Sequence, residues 1–451
     1  MSIEHVLDAQ DQAQSGGRTD WFVHDRFGLF IHWGIGSLPT PWEHGWFMHY
    51  ERTSTERYQR YFDHFDPDLY DPVVWAREAR NAGMKYFVAT TKHHDGFCLW
   101  DTDESEYKAP RTPAGRDLIK PMVDAFRAEG LRVGFYHSLI DWHHPEFTID
   151  GLHPLRDDAE FRESQRHRDI SRYAEYLRAQ TRELLTRYGD ISLLWYDFSY
   201  PDLDLLEKQG LQRYDWDKGK GAVDWDSERL LALVRELQPG IIVNDRLDIP
   251  GDYCTPESYQ PVKWLERNGK RVTWEVCQPI NGLYTYARDT HQWKSTKTLI
   301  QILVDTVSKG GNLLLNVGPT GRGEFDQNSL ERLRGIGDWM RRHGRAIYGC
   351  TESAYVAPPD CRYTQKGDSL YLHLFAWPPG HVHLKGLADR VAYAQLLNDA
   401  SEVTTRVYED PDAQGTYIEG LPSNTLTLKL PIPEPDVAVP VVELFLKPQR
   451  S

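Results

Sequence analysis

Eight short segments that read as buried strands recur along the chain, and no other feature constrains the fold as strongly. They are "RFGLFIHWG" (26–34), "KYFVATTKHH" (85–94), "LRVGFYHS" (131–138), "ISLLWYD" (191–197), "GIIVNDR" (240–246), "GDYCTPE" (251–257), "RVTWEVC" (271–277) and "GNLLLNVGP" (311–319). Most are continuous apolar runs rather than alternating ones, as parallel strands covered on both faces require. Amphipathic helices lie between many of them. "DPVVWAREARNAG" places Asp71 to cap and Pro72 in the first turn, and it stops at Gly83. "IKPMVDAFRAEG", "ISRYAEYLRAQTRELLTRYG", "DSERLLALVRELQPG" and "STKTLIQILVDTVSKGG" repeat that design. Strand alternating with helix argues for an α/β (β/α)8-like barrel of the TIM type. No helix is legible between the fifth and sixth candidates or between the sixth and seventh, so the barrel is expected to be irregular.

After "NSLERLRGIGDWMRRHG" the texture changes to short alternating strands, "SLYLHLFAW", "HVHLKGL", "NTLTLKL" and "VVELFLK", separated by turn residues. This predicts a C-terminal antiparallel β-sandwich over residues 348–451, following a catalytic barrel over 1–347. A chain of 451 residues exceeds what one hydrophobic core usually supports, which favours the same division. The polar loops 150–165 and 200–223 follow the third and fourth strands, where they can wall a site.

Acidic residues outnumber basic ones, 67 to 52, for a formal charge of −15, which argues against nucleic acid and anionic membranes as partners. The first twenty residues lack the basic leader and apolar core of a secretory signal, so a cytoplasmic location is expected, although a trimmed signal would leave the same sequence. Five cysteines without CxxC spacing read as buried free thiols. The 15 tryptophans and 24 tyrosines offer flat faces suited to sugar rings, and an aromatic-rich core accounts for them equally well.

In such a barrel ligands meet the C-terminal ends of the strands. Those ends supply His32 and Trp33, His93 and His94, Tyr136 and His137, Trp195 and Asp197, then Asn244, Asp245 and Arg246, Glu257, and finally Trp274 and Glu275. Any one histidine is more often structural than catalytic, and Arg246 could simply neutralise Asp245 or Asp248; convergence on one end of the barrel carries the functional reading. Adjacent strand residues point to opposite faces, so His93 and His94 are not expected to share a metal ion. "GPTGRGEF" lacks the GK[ST] ending of a phosphate loop. The sequence therefore points to chemistry without metal or other cofactor. Two carboxylates among aromatics suit glycoside hydrolysis, with Asp197 as nucleophile, Arg246 keeping it ionised, and Glu257 or Glu275 as the acid.

The ordered series "FGLFIHWG", "TTKHHDGFCLWDT", "GFYHSLIDW", "LLWYDFS", "VNDR", "TWEVC" and "KGGNLLLNVGPTGRGEF" resembles glycoside hydrolase family 29, the retaining α-L-fucosidases. The resemblance implies a covalent fucosyl-enzyme on Asp197 and a fucose pocket lined by His32, His93, His94, Tyr136, Trp195 and Arg246, with Trp46 as a further sugar contact and Tyr284 as a candidate apolar wall. Glu257 in "TPE" matches the acid/base position of some bacterial members, and Glu275 in "WEVC" matches a glutamate more common among members; Glu257 is favoured for its loop setting. A retaining mechanism requires the partner carboxyl about 5 Å from that of Asp197. Many relatives carry Glu-Trp where this chain has Gly45-Trp46, so that glutamate's contact is missing or comes from Glu43 or His49. "LYTY" also replaces the usual small residue and Trp-Gly. The implied activity is that of a retaining exo-α-L-fucosidase acting on fucosylated oligosaccharides or glycoconjugates. Its alternatives are a catalytically silent fucose-binding protein or a glycosidase for a related sugar such as an α-L-galactoside. Oligomeric state, a homo-oligomer included, is left open.

Overall fold

The structure is a computed structural model that describes residues 17–39, 44–208, 210–407, 421 and 424–448. Strands β1 (Phe27–Ile31), β2 (Tyr86–Lys92), β3 (Arg132–Ser138), β4 (Leu193–Asp197) and β5 (Ile242–Val243) are followed by a small exposed hairpin, β6 (Glu266–Arg267) and β7 (Lys270–Arg271), and then by β8 (Glu275–Pro279) and β9 (Asn312–Val317). Except for the hairpin these form one curled parallel sheet in the order β5-β4-β3-β2-β1-β9-β8. Helices Pro72–Asn81, Ile119–Ala128, Ile170–Arg187, Ser227–Leu237 and Thr296–Val307 connect the strands where helices are expected. Asp71 caps the first of them by accepting from the N–H groups of Val73 and Val74.

The sixth strand candidate is corrected. Residues 251–257 form no strand; they make isolated parallel bridges, Asn244 with Tyr253 on one side and Cys254 with Trp274 and Glu257 with Cys277 on the other, across the gap between β5 and β8. Pro256 has no N–H to donate to a ladder. Backbone bonds such as Asp252 N to the Val243 carbonyl at 2.7 Å and Cys254 N to the Thr273 carbonyl at 2.9 Å are supplemented by side chains: Asp252 Oδ2 accepts from Val243 N at 2.8 Å and Asp245 Oδ1 from Thr255 N at 3.2 Å. The barrel thus completes its circle with an irregular segment, and Glu257 sits at the end of it.

Strand periodicity divides the interior in two. Phe30, Tyr86, Val88, Tyr136, Leu193, Trp195, Ile242, Cys277 and Leu314 point into the barrel lumen and pack together. Their neighbours Leu29, Ile31, Phe87, Ala89, Phe135, Leu194, Tyr196, Val243 and Val276 face the helices in the larger core. That parity decides which strand-end residues reach the site.

The C-terminal strands β10 (Cys361–Lys366), β11 (Ser369–Leu374), β12 (His381–Lys385), β13 (Val391–Leu396), β14 (Thr404–Val407), β15 (Thr425–Lys429) and β16 (Val441–Leu446) form two antiparallel sheets, β10-β11-β16-β13 and β12-β15-β14. Their inward residues, among them Leu372, Leu384, Leu428 and Leu444, make a core of their own. All five cysteines are buried and free of disulfides. Among the described residues no helix is long and apolar enough to cross a membrane.

Candidate active site

On β4 the lumen parity selects Leu193, Trp195 and Asp197, so the carboxylate stands one step above the last indole at the open end of the barrel. It lines a pocket of about 490 Å³, measured with its open mouth, together with His32, Trp46, His93, His94, Tyr136, Trp195, Glu257 and Tyr284. The lumen below is filled by Tyr86, Tyr253 and Leu314, so the pocket is blind. Trp33, His137, Asn244 and Trp274, also at strand ends, do not reach it. Trp33 packs with Tyr70 and Trp75 under the helices; His137 bonds Thr91 Oγ1 at 2.9 Å; Asn244 accepts from Tyr196 N at 3.1 Å; Trp274 donates to the Lys309 carbonyl at 3.1 Å.

Alternation along a strand would put His93 and His94 on opposite faces, yet both line the pocket, as the family resemblance implies. The strand ends at Lys92, and beyond it the chain leaves the pleat that enforces alternation. Even so, among the described residues no three His, Cys, Asp or Glu side chains gather as a metal-holding group.

Asp197 is 8% exposed. Its Oδ2 accepts from the Tyr136 hydroxyl at 2.7 Å and its Oδ1 from Arg246 Nη1 at 3.1 Å. Burial pushes its pKa up, to about 7, against the pull of the Arg246 charge. Arg246 does not serve Asp245 or Asp248. Its Nη2 donates to Glu257 Oε2 at 2.9 Å, its Nε to Thr255 Oγ1 at 2.9 Å, and its guanidinium lies over the Trp195 ring at 4.7 Å. Two carboxylates from different segments are therefore bound to adjacent nitrogens of one rigid cation. The Glu257 side chain is 41% exposed and so can meet a leaving group arriving from solvent.

Glu275 lies elsewhere. It has lumen parity on β8 but sits one layer deeper than Cys277, fully buried and outside the pocket lining. Tyr86 donates its hydroxyl to Oε1 at 2.6 Å, and burial raises the carboxyl to about 8, so at neutral pH it is a protonated component of the barrel interior.

Hydrogen-bond bookkeeping fixes two imidazoles. The Ser138 hydroxyl donates to the Ile140 carbonyl at 2.7 Å, so it can only accept from His94 Nδ1, 2.6 Å away. His94 Nε2 is then an acceptor facing the pocket, 3.7 Å from Asp197 Oδ2. Asn316 donates its amide to the Tyr284 carbonyl at 2.6 Å, so its oxygen accepts from His32 Nδ1 at 2.7 Å. Burial lowers His32 to about 4 and His94 well below the usual imidazole range, keeping both neutral. Two acceptor nitrogens thus face a ligand whose hydroxyls can donate.

Sequence reasoning missed Phe198, Cys277 and Thr285 in the lining and Ser138 and Asn316 behind it. Cys277 shares β8's inner face with Glu275, and strand parity alone would have placed it there. Phe198 follows Asp197 directly; its φ of +81° is a conformation L-residues avoid, and it swings the ring edge-on to Trp46 at 5.0 Å. At Gly45 an added Cβ would stand 2.8 Å from the His93 ring, so the imidazole occupies the space a side chain would need. His49 does not substitute for a glutamate there, because its Nδ1 bonds the Leu152 carbonyl at 2.7 Å and its Nε2 meets Arg156 at 3.1 Å. Glu43 lies outside the described residues.

An aromatic blind pocket at the C-terminal end of a parallel barrel, with two carboxylates on one arginine, defines a glycoside hydrolase. The chain belongs to the alpha-L-fucosidase family, whose model matches residues 4–345. Among characterised proteins it is 30% identical to the tissue alpha-L-fucosidase of Bos taurus over 79% of this chain and 75% of that one. The tissue alpha-L-fucosidase of Homo sapiens is 28% identical over 80% of this chain and 76% of that one. Among solved structures, alpha-L-fucosidase isoenzyme 1 from Paenibacillus thiaminolyticus superposes with a TM-score of 0.87 at 42% identity, covering 96% of this chain and all of that one. A Bacteroides thetaiotaomicron alpha-L-fucosidase, trapped as a covalent intermediate with 2-fluoro-fucosyl fluoride, superposes with a TM-score of 0.80 at 26% identity over 96% of each chain.

Proposed function

We propose that Asp197 is the nucleophile and Glu257 the acid/base with which this retaining α-L-fucosidase removes terminal α-L-fucosyl residues from oligosaccharides or glycoconjugates. The observation that carries the assignment is Arg246, whose two terminal nitrogens hold one carboxylate each. In the first step an Asp197 carboxylate oxygen bonds to the anomeric carbon as the glycosidic C–O bond breaks, and Glu257 gives its proton to the departing oxygen. In the second, Glu257 takes a proton from water as that oxygen displaces Asp197, so the anomeric configuration is retained. The blind pocket favours a terminal sugar over an internal one. His32 and His94 accept from its hydroxyls, and the ring of Tyr284 suits its methyl group.

Hydrolysis of an aryl α-L-fucoside tests the roles in Asp197→Ala, Glu257→Ala and Glu275→Ala, each with and without azide. The assignment expects Asp197→Ala to be inactive and a fucosyl azide of retained configuration to form in Glu257→Ala. The same product from Glu275→Ala alone would move the acid there. A wild type that binds fucose without turnover would make the chain a silent sugar-binding relative.

A further inference from the structure

Glu257 must deliver its proton to an oxygen whose position the bound sugar fixes, and it is held at its carboxyl by Arg246 Nη2 and at its backbone by one bridge to Cys277. Its side chain is 41% exposed, and it leaves a segment that forms no strand. The next residue adds a further hold on the loop. Ser258 has a φ of +57°, in the left-handed region that costs any residue with a Cβ, so something outside the residue maintains that turn. Its N–H donates to the Cys277 carbonyl at 3.1 Å, and its Oγ lies 3.1 Å from the Tyr284 hydroxyl. That hydroxyl is in turn 3.4 Å from Cys277 Sγ. Cys277 is buried, and burial holds its thiol protonated, so the S–H is free to donate to the phenol oxygen and the phenol proton is free for Ser258.

We propose that the Tyr284 hydroxyl is a positioning group for the acid/base, clamping Ser258 and through it the carboxyl of Glu257. This rests on the reading of Glu257 as acid/base. Tyr284 thus has two separable parts: a ring that walls the pocket and a hydroxyl that faces the loop beyond it. Its carbonyl also accepts from Asn316, the residue that orients His32, so one residue ties the sugar-binding side of the pocket to the side that protonates the leaving group.

A purely structural loss slows all substrates alike, whereas a misplaced acid matters only where the leaving group needs a proton. The experiment therefore compares kcat/KM for a fucoside of a strongly acidic phenol with that for an α-fucosyl disaccharide, in the full-length enzyme. In Tyr284→Phe, which keeps the ring, and in Ser258→Ala the ratio between the two should rise about tenfold. The double variant should be no worse than the poorer single one, because both remove the same bond. An unchanged ratio, or fully additive losses, overturns the clamp. Glu257→Ala serves as the reference. If its ratio rises steeply while those of Tyr284→Phe and Ser258→Ala do not, the clamp fails and the acid assignment stands. If its ratio is flat and that of Glu275→Ala rises instead, the acid assignment fails and takes the clamp with it.

Discussion

Asp197 and Glu275 show how burial sets the charge on a carboxyl according to its company. With Asp197 as the proposed nucleophile, attacking as the carboxylate, activity should fall as the pH drops through its pKa, which burial lifts to about 7 while the Arg246 charge pulls the other way. Arg246→Met removes that pull, so the acidic limb of the kcat/KM profile should move to higher pH. Below the shifted limb the loss should be about tenfold for each pH unit by which the limb moves, because Asp197 is protonated to that extent. A lower plateau with an unmoved limb would show that Arg246 binds sugar without tuning Asp197. For Glu275 the sign reverses into a stability effect. The folded state keeps its proton up to about 8, while the unfolded chain ionises near 4.5, so the folded state binds more protons between those values and stability declines as the pH rises through them. Glu275→Gln is neutral throughout and can still bond Tyr86. It should gain thermal stability over wild type at pH 9 and little at pH 4.5, while retaining turnover; an equal shift at both pH values would mean the wild-type carboxyl is not titrating across that range.

At the scale of elements, the segment that replaces the sixth strand depends on a side chain. Asp252 accepts from Val243 N, pairs with Arg18 at 2.9 Å and Arg235 at 2.5 Å, and has a side chain only 4% exposed. Asp252→Ala leaves two guanidinium groups and a strand N–H without their acceptor, so it should lower stability by about 3 kcal/mol, read as an earlier denaturant midpoint with an unchanged slope. A shift below about 0.5 kcal/mol would mean water replaces the carboxylate at no cost. The same segment marks where the sequence stopped being legible. The regular strands were visible because continuous apolar runs report burial on both faces, and Asp197 was visible because it ends one of them. "GDYCTPE" carries the same β-forming residues, but its backbone bonds to the neighbouring strands are scattered and the side chains of Asp245 and Asp252 supply others, and nothing in a linear pattern announces a side chain standing in for a backbone. His32, His93 and His94, all named as pocket residues, all line the pocket; each lies just past the end of its strand, where alternation no longer separates the adjacent pair His93 and His94. Ser138 and Asn316 act only by fixing which ring nitrogen carries a proton, a role that needs three-dimensional partners to be seen.

At the scale of the molecule, the C-terminal sheets lean on the last two barrel helices, and none of their described residues lines the pocket. On Gln327–His343, Trp339 donates to the Val439 carbonyl at 2.8 Å. On Thr296–Val307, Asp305 pairs with Arg362 at 2.6 Å, and next to the longer helix Arg345 pairs with Glu443 at 2.6 Å. Tyr371, Val439 and Val441 belong to the same apolar core as the barrel helices, although the inner faces of the sheets have a separate core. Contacts of this kind bind the stability of one part to the other while leaving the chemistry alone. Trp339→Ala should therefore cost about 3–5 kcal/mol in the shared core. For a chain of this size that is a fall of only a few degrees in Tm. Because the core is shared, calorimetry should still show one transition. Below that temperature kcat/KM on an aryl fucoside should stay within about twofold of wild type, since Trp339 touches neither carboxylate nor any lining residue. Two resolved transitions, with the activity lost at only one of them, would instead mean that the sheets and the barrel unfold independently and that the contacts at Trp339, Asp305 and Arg345 join them too weakly to couple their stability.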